Sequence, residues 1–136
     1  MRMRRRNNLA PRMEACESVW IHEPEALRGS WRSLMPGCRE LRVEVGCGKG
    51  KFTVETAEAE PDVLLIAIER VQDALVLAME AALRKGLKNV FFVSLDAANI
   101  DAFFCRRRDR PALHQLLRPL AAQEERQAPP DLSYIP

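Results

Sequence analysis

The chain has 136 residues, a length that suits one domain. Hydrophobic residues make up 47% and charged residues 29%, as in an ordinary globular protein, and the net charge of +2 says little about partners. The longest apolar runs are too short to cross a bilayer, and no apolar stretch of signal-peptide type follows the first arginines. These features predict a soluble cytoplasmic protein with no membrane association.

The cysteine spacing argues against a structural metal site. No two cysteines have CxxC spacing, so a zinc site is not expected and the prediction is that no metal is bound. The cysteines are expected to be free thiols in a reducing compartment; they are Cys16, Cys38, Cys47 and Cys105.

Residues 1–39 are predicted to form a basic N-terminal arm followed by a short helix. The arm begins with the arginine run Arg2, Arg4, Arg5 and Arg6. Such a run is usually a solvated tail, and the alternative is an arm that contacts nucleic-acid phosphates. A helix is expected over residues 24–34, with Pro24 in its first turn and Gly37 after its end.

A regular alternation of strands and helices follows over residues 40–104. Strands are predicted at 41–45, 63–68 and 90–93, and helices at 51–59 and 71–85, with a further helix starting at 97. Right-handed crossovers would make this an α/β fold with a doubly wound, mostly parallel sheet that is incomplete, with about three strands. Ligands of such sheets bind beyond the carboxyl ends of the strands.

A glycine-rich loop follows the first predicted strand. Glu44 is followed by glycines at alternate positions, Gly46, Gly48 and Gly50. This GxGxG spacing differs from the dinucleotide GxGxxG motif and from a P-loop, which needs GK followed by Ser or Thr. A glycine turn with no ligand is the alternative. Two further carboxylates, Glu69 and Asp96, follow the second and third strands and therefore favour a ligand site.

These motifs resemble class I methyltransferases that use S-adenosyl-L-methionine, and in particular the bacterial tRNA (guanine-N7-)-methyltransferases. The similarity covers roughly residues 1–104 and lies in the opening MRMRRR, the motif VEVGCGKGKF at 43–52, the strand end AIE at 67–69 and the KNV turn at 88–90. It implies a class I, Rossmann-like methyltransferase fold, S-adenosyl-L-methionine as cofactor, tRNA as partner, and a monomer. It implies formation of 7-methylguanine in the tRNA variable loop.

The resemblance also implies roles for particular residues. Glu44, Glu69 and Asp96 would contact the cofactor, with Glu69 accepting from the ribose hydroxyls and Asp96 from the adenine amine. The loop would pack against the methionine and ribose portions through Gly46, Gly48 and Gly50. No catalytic residue is assigned.

Residues 105–136 depart from the family pattern and are expected to be a disordered or non-native tail. They are rich in proline and charge and contain no predicted strand. Shifting the reading frame by one nucleotide from Pro111 onward permits the peptide RLYINFCDPWP, which resembles the family's DPWP motif. In that reading Arg118 becomes an aspartate. We therefore hypothesise a frameshift near Phe104, which would leave the chain poorly active.

Two other functions remain compatible with the sequence. One is a different class I methyltransferase that acts on a small molecule or a protein. The other is a non-catalytic RNA- or nucleotide-binding module. The basic arm and the shifted-frame motif favour the tRNA enzyme over the first of these.

Overall fold

The protein core is a parallel three-stranded sheet. The computed structural model describes residues 8–104. Strands β1 (Glu40–Val45), β2 (Val63–Glu69) and β3 (Val90–Ser94) lie in the order β1-β2-β3, with Val45 opposite Ile68 and Glu69 opposite Ser94. The predicted α/β class with about three parallel strands is confirmed.

Within the described range, four α-helices accompany the sheet: α1 (Leu9–Ala15), α2 (Lys51–Ala59), α3 (Gln72–Arg84) and α4 (Ile100–Phe104). The bounds of α2 agree with the prediction, and those of α3 differ from it by one residue at each end. Gly86 follows α3 with a φ of 65°, a left-handed conformation that glycine adopts without strain, so the predicted helix end is also confirmed.

The sheet is buried on both faces because β2 is apolar and buried from Val63 to Ile68, up to the terminal Glu69. Leu65 and Ala67 pack with residues of α1, α2 and α3 on one face. Leu64, Ile66 and Ile68 pack on the other face, in the same cluster as a stacked Trp31–Phe104 ring pair whose centroids are 4.4 Å apart.

The segment before the sheet differs from the prediction. The expected helix over 24–34 is wrong: two 3₁₀ helices, Pro24–Leu27 and Trp31–Leu34, stand in its place. Gly29 separates them with a φ of 81°, which a continuous α-helix does not allow. The short helix α1 was not predicted, yet its Met13 is fully buried against the sheet.

Trp20 and its neighbour cover one edge of the sheet. Trp20 forms a parallel bridge with Phe92 of β3, and the Ile21 N–H donates to the Phe92 carbonyl at 2.8 Å. Within residues 8–104, β1 pairs only with β2. The arginine run, Cys105, Arg118 and the rest of 105–136 lie outside the described residues, and among those described no helix has the length and apolarity that a membrane span requires.

A charged network at the amino-terminal end of β1 stabilises the sheet edge remote from the glycine loop. The Arg42 side chain is only 8% exposed, and its Nη1 donates to Glu60 Oε2 at 2.7 Å. Its Nε also donates to Glu40 Oε1 at 3.1 Å. The Arg42 and Arg39 guanidinium groups hold the pKa of the Glu60 carboxyl below its usual value.

Replacing Glu60 with glutamine is therefore expected to destabilise the fold. The substitution leaves the buried Arg42 without one of its charged partners. It should lower the free energy of unfolding by about 1–3 kcal/mol, as measured by urea denaturation at pH 7. The pKa of Glu60 is lower in the folded state than in the unfolded state. Its contribution to the free energy of unfolding is therefore fully present above the unfolded-state pKa, and it is lost as pH falls through the folded-state pKa. The difference between wild type and variant should thus shrink below about pH 4.5.

The matched control is Glu58→Gln, which removes an exposed ion pair between Glu58 and Lys85. Exposed pairs contribute about 0–1 kcal/mol, so this variant should stay close to wild type. Equal destabilisation by the two substitutions would contradict the assignment of Arg42 and Glu60 as a structural pair.

Candidate functional site

A cleft of about 200 Å³ lies at the carboxyl ends of the strands, where ligands of parallel sheets bind. Three of the predicted site residues, Gly46, Glu69 and Asp96, line it together. The remaining described residues that line it are Val45, Ile68, Arg70 and Leu95. The cleft therefore combines apolar strand ends with two carboxylates and one guanidinium group.

Backbone amides hold the Glu69 carboxylate at the end of β2. The Gly48 N–H donates to its Oε1 at 2.8 Å, and the Val71 N–H donates to its Oε2 at 3.0 Å. Each carboxylate oxygen can accept two hydrogen bonds, so each keeps one acceptor position beyond these. Glu69 is thus oriented in advance and can accept two further donors from a ligand in the cleft.

Asp96 lies beyond β3 and caps the turn that follows it. Its Oδ1 accepts a hydrogen bond from the Ala98 N–H at 3.0 Å, and its backbone carbonyl accepts from the Asn99 N–H at 2.9 Å. The residue is exposed. The turn orients the carboxylate while leaving it accessible to an amine or hydroxyl donor.

Glu44 occupies a different place from the other two predicted carboxylates. It is 1% exposed and does not line the cleft. Its Oε2 accepts a hydrogen bond from the Thr53 hydroxyl at 2.8 Å, and Thr53 is fully buried. The pair joins β1 to the first turns of α2 beneath the glycine loop. A contact between Glu44 and a ligand stays a prediction.

The glycines of the loop have three different surroundings. Gly46 lies in the cleft, and all three have positive φ values, from 57° to 83°. Open space surrounds the position that a Cβ on Gly48 would occupy, whereas a Cβ on Gly50 would lie 2.8 Å from the Ala78 Cα and closer still to its Cβ. Gly50 therefore allows α2 and α3 to approach each other, and its contact with a ligand stays a prediction.

Cys47 in the loop is a buried thiol. Burial raises the pKa of its thiol far above the usual range, and the Glu69 and Glu44 carboxylates raise the pKa further. These surroundings disfavour the thiolate, which is the reactive form of cysteine. Among the described residues Cys16, Cys38 and Cys47 are free, and no group of three potential ligands could hold a metal ion.

Sequence reasoning did not identify two residues at or beside the site. Arg70 lines the cleft, and it could have been found because it directly follows Glu69. Thr53 supports Glu44, but nothing in the sequence pattern indicates that pairing, because it depends on how α2 sits against β1.

A parallel α/β sheet with a glycine loop and carboxylates at successive strand ends is typical of the class of proteins that bind nucleotide-containing ligands at this edge. The particular family follows from comparison of sequences: a family model described as "Putative methyltransferase" matches residues 39–108, and the chain belongs to that family.

Curated relatives agree with this assignment. A protein of Geobacillus kaustophilus named tRNA (guanine-N(7)-)-methyltransferase is 38% identical over 104 residues, which are 76% of this chain and 48% of that protein. A protein of Levilactobacillus brevis with the same name is 39% identical over 84 residues, 62% of this chain and 39% of that protein. The chain therefore spans about half the length of the curated relatives it matches.

A similarity to solved structures is weaker. The antibiotic-resistance methyltransferase Kmr aligns with 51% of this chain and 37% of its own, at 23% identity and a TM-score of 0.43.

Proposed function

We propose that this chain is the cofactor-binding half of a tRNA (guanine-N7-)-methyltransferase that uses S-adenosyl-L-methionine. The observation that carries the proposal is the cleft in which Gly46, Glu69 and Asp96 meet at the strand ends. Membership of the methyltransferase family and the names of the curated relatives support it. We place the protein in the cytoplasm, as expected for an enzyme that modifies tRNA.

The residues at the cleft fit the nucleoside part of this cofactor. Glu69 has two acceptor positions beyond its backbone donors, which suits the two hydroxyls of a ribose. Asp96 would accept from the adenine amine while its turn keeps it in place. Ile68 and Leu95 supply apolar surface in the same cleft.

The chemistry needs little from acid–base groups. The cofactor supplies a methyl group on a sulfonium, and N7 of guanine carries a free lone pair on the major-groove edge. Because N7 loses no proton before attack, no strong general base is needed, and the described part of the chain contributes binding and orientation. Holding the reacting atoms in line is then the main source of rate acceleration.

The substrate side of the enzyme is proposed to lie in the part of the relatives that this chain does not match. We propose that residues 105–136 are a frameshifted reading of that part, with Arg118 in place of an aspartate. The division into residues 1–39, 40–104 and 105–136 is part of the same proposal. The chain should consequently bind cofactor and transfer methyl groups poorly.

Comparing this chain with a frame-restored version tests the proposal. Both proteins are incubated with tRNA and cofactor carrying a labelled methyl group, and the RNA is digested to nucleosides. We expect label in 7-methylguanosine with the restored chain, and a rate lower by on the order of 100-fold or more with the present chain, because the in-line geometry is incomplete.

Three results would count against this reading. Equal rates for the two chains would exclude the frameshift account. Label in a different nucleoside, or only in a small molecule or protein, would indicate another class I methyltransferase. A gene with no shifted frame encoding the DPWP-type peptide would remove the basis for restoring it.

A further inference from the structure

A second concave surface lies between α2 and α3, away from the strand-end cleft. We call it the helix groove; its volume is about 330 Å³. Its floor is apolar and consists of Val54, Leu77 and Ala81. The other residues that line it are Lys49, Lys51, Glu55, Arg84 and Lys85. Four cationic side chains thus surround an apolar floor beside one carboxylate.

The positive charge of the helix groove is local. The whole chain carries a net charge of only +2, so a rim with four cations and one anion stands out from the average surface. All four basic residues are exposed. Lys85 contacts Glu58, with 3.0 Å between Nζ and Oε1, so part of its charge is neutralised. A polyanion would find complementary charge here.

We propose that the helix groove binds the phosphate backbone of the tRNA substrate. Basic side chains along a groove are the usual means of following a nucleic-acid backbone. The choice of RNA among polyanions rests on the proposed function. No aromatic residue lines the groove among those described, so it offers no platform for stacked bases, and the contact is with phosphates and sugars of folded RNA.

The position of the helix groove supports a role in presenting the substrate. Lys49 and Lys51 flank Gly50 in the glycine loop, and the Gly48 N–H in the same loop donates to Glu69 in the cleft. The segment 46–51 therefore connects the two surfaces, because Gly46 lines the cleft while Lys49 and Lys51 line the groove. RNA held by this rim would lie next to the loop that is proposed to contact the cofactor.

A second copy of the chain fits this surface less well than RNA does. In a two-fold symmetric contact the same patch meets itself, which would bring the lysine and arginine side chains of the two copies together. Leu83, on the same helix, is 37% exposed, and no other large hydrophobic residue among those described is exposed. The apolar surface is thus too limited to offset that repulsion.

The double substitution Lys51→Gln with Arg84→Gln tests the proposal on the full chain. Both side chains are exposed, and no ion pair is found for either within residues 8–104, so folding should persist, as checked by circular dichroism. The binding of unfractionated bacterial tRNA is measured by fluorescence anisotropy at several salt concentrations. The slope of log affinity against log salt concentration should be less steep in the variant than in the wild type, by about 1.5–2 units. The affinity of the variant should be lower by roughly tenfold near 0.1 M salt.

The matched control is Arg28→Gln with Arg32→Gln, which removes the same charge from the segment on the other face of the sheet. This control should keep a slope close to that of the wild type. Equal losses in the two variants would overturn the proposal, because overall charge rather than the groove would then govern binding. An unchanged slope in the groove variant, or no tRNA binding by the wild type, would also overturn it.

Two further readouts separate this proposal from its alternatives. The cofactor-induced rise in the thermal midpoint should be the same in the groove variant as in the wild type. If the wild type shows no such rise but the groove substitutions still reduce the salt dependence of tRNA binding, the groove proposal survives and the proposed function fails. If the wild type sediments as a dimer and the groove substitutions dissociate that dimer, the groove would be assigned to a second copy of the chain. Polyglutamate and unlabelled tRNA are also compared as competitors for labelled tRNA, at equal concentrations of negative charge. If polyglutamate displaces the labelled tRNA more effectively, the groove would be assigned to an acidic peptide.

Discussion

Replacing Gly50 with alanine should destabilise the protein by about 3 kcal/mol or more in urea denaturation. Two costs combine at this position. The φ of 83° is a left-handed conformation that side chains disfavour, and the new Cβ would meet the Ala78 Cα at 2.8 Å. Since the conflicting atoms belong to the backbone and first side-chain carbon of α3, a rotamer change cannot relieve the clash.

Gly48→Ala provides the matched comparison. Gly48 has a φ of 57°, so the conformational cost is similar, but its Cβ would meet nothing within 4 Å. We expect a loss of about 1 kcal/mol. The double variant Gly50→Ala with Ala78→Gly should recover part of the loss, because the contact between the two Cβ atoms disappears. Equal effects of Gly48→Ala and Gly50→Ala would show that helix packing does not constrain Gly50.

Replacing Glu69 with alanine should weaken cofactor binding on the order of 100-fold, through the loss of hydrogen bonds to a charged acceptor. The readout is the rise in thermal midpoint caused by S-adenosyl-L-methionine. At a concentration of about 100 times the wild-type Kd, that rise should be on the order of 5–10 °C for wild type and about 1 °C for the variant.

The ligand-induced shift is the proper measure here, because Glu69 also accepts from the Gly48 and Val71 amides and its loss should lower the midpoint without ligand. Asp96→Ala offers an independent test at the other carboxylate of the cleft and should also reduce the shift. Glu58→Ala removes an exposed carboxylate that does not line the cleft and should leave the shift unchanged. A full shift in Glu69→Ala would contradict its role.

The part of the fold that was predictable from the sequence is the part with a clear periodicity. Strand β2 is a continuous apolar run, and α3 has a broad apolar face ended by Gly86, so both could be located closely. The short helix α1 has only seven residues and no sustained pattern. It is held by contacts with distant residues, such as Arg12 Nε donating to Glu80 Oε2 at 2.9 Å.

The candidate site likewise has a part that was predictable from the sequence and a part that was not. Glu69 and Asp96 could be placed at one edge because the carboxyl ends of parallel strands meet there, and both line the cleft. The burial of Glu44 against Thr53 and the packing of Gly50 against Ala78 could not be predicted. Both depend on the packing of α2 against β1 and α3, which a motif does not encode.

The central claim is that the strand-end cleft binds S-adenosyl-L-methionine. Equilibrium dialysis of the radiolabelled cofactor against the wild-type chain tests it most directly. We predict saturable binding at one site per chain, displaced by unlabelled S-adenosylhomocysteine and strongly reduced in Glu69→Ala. Absence of saturable binding by the folded chain, or binding that Glu69→Ala leaves unchanged, would contradict the claim.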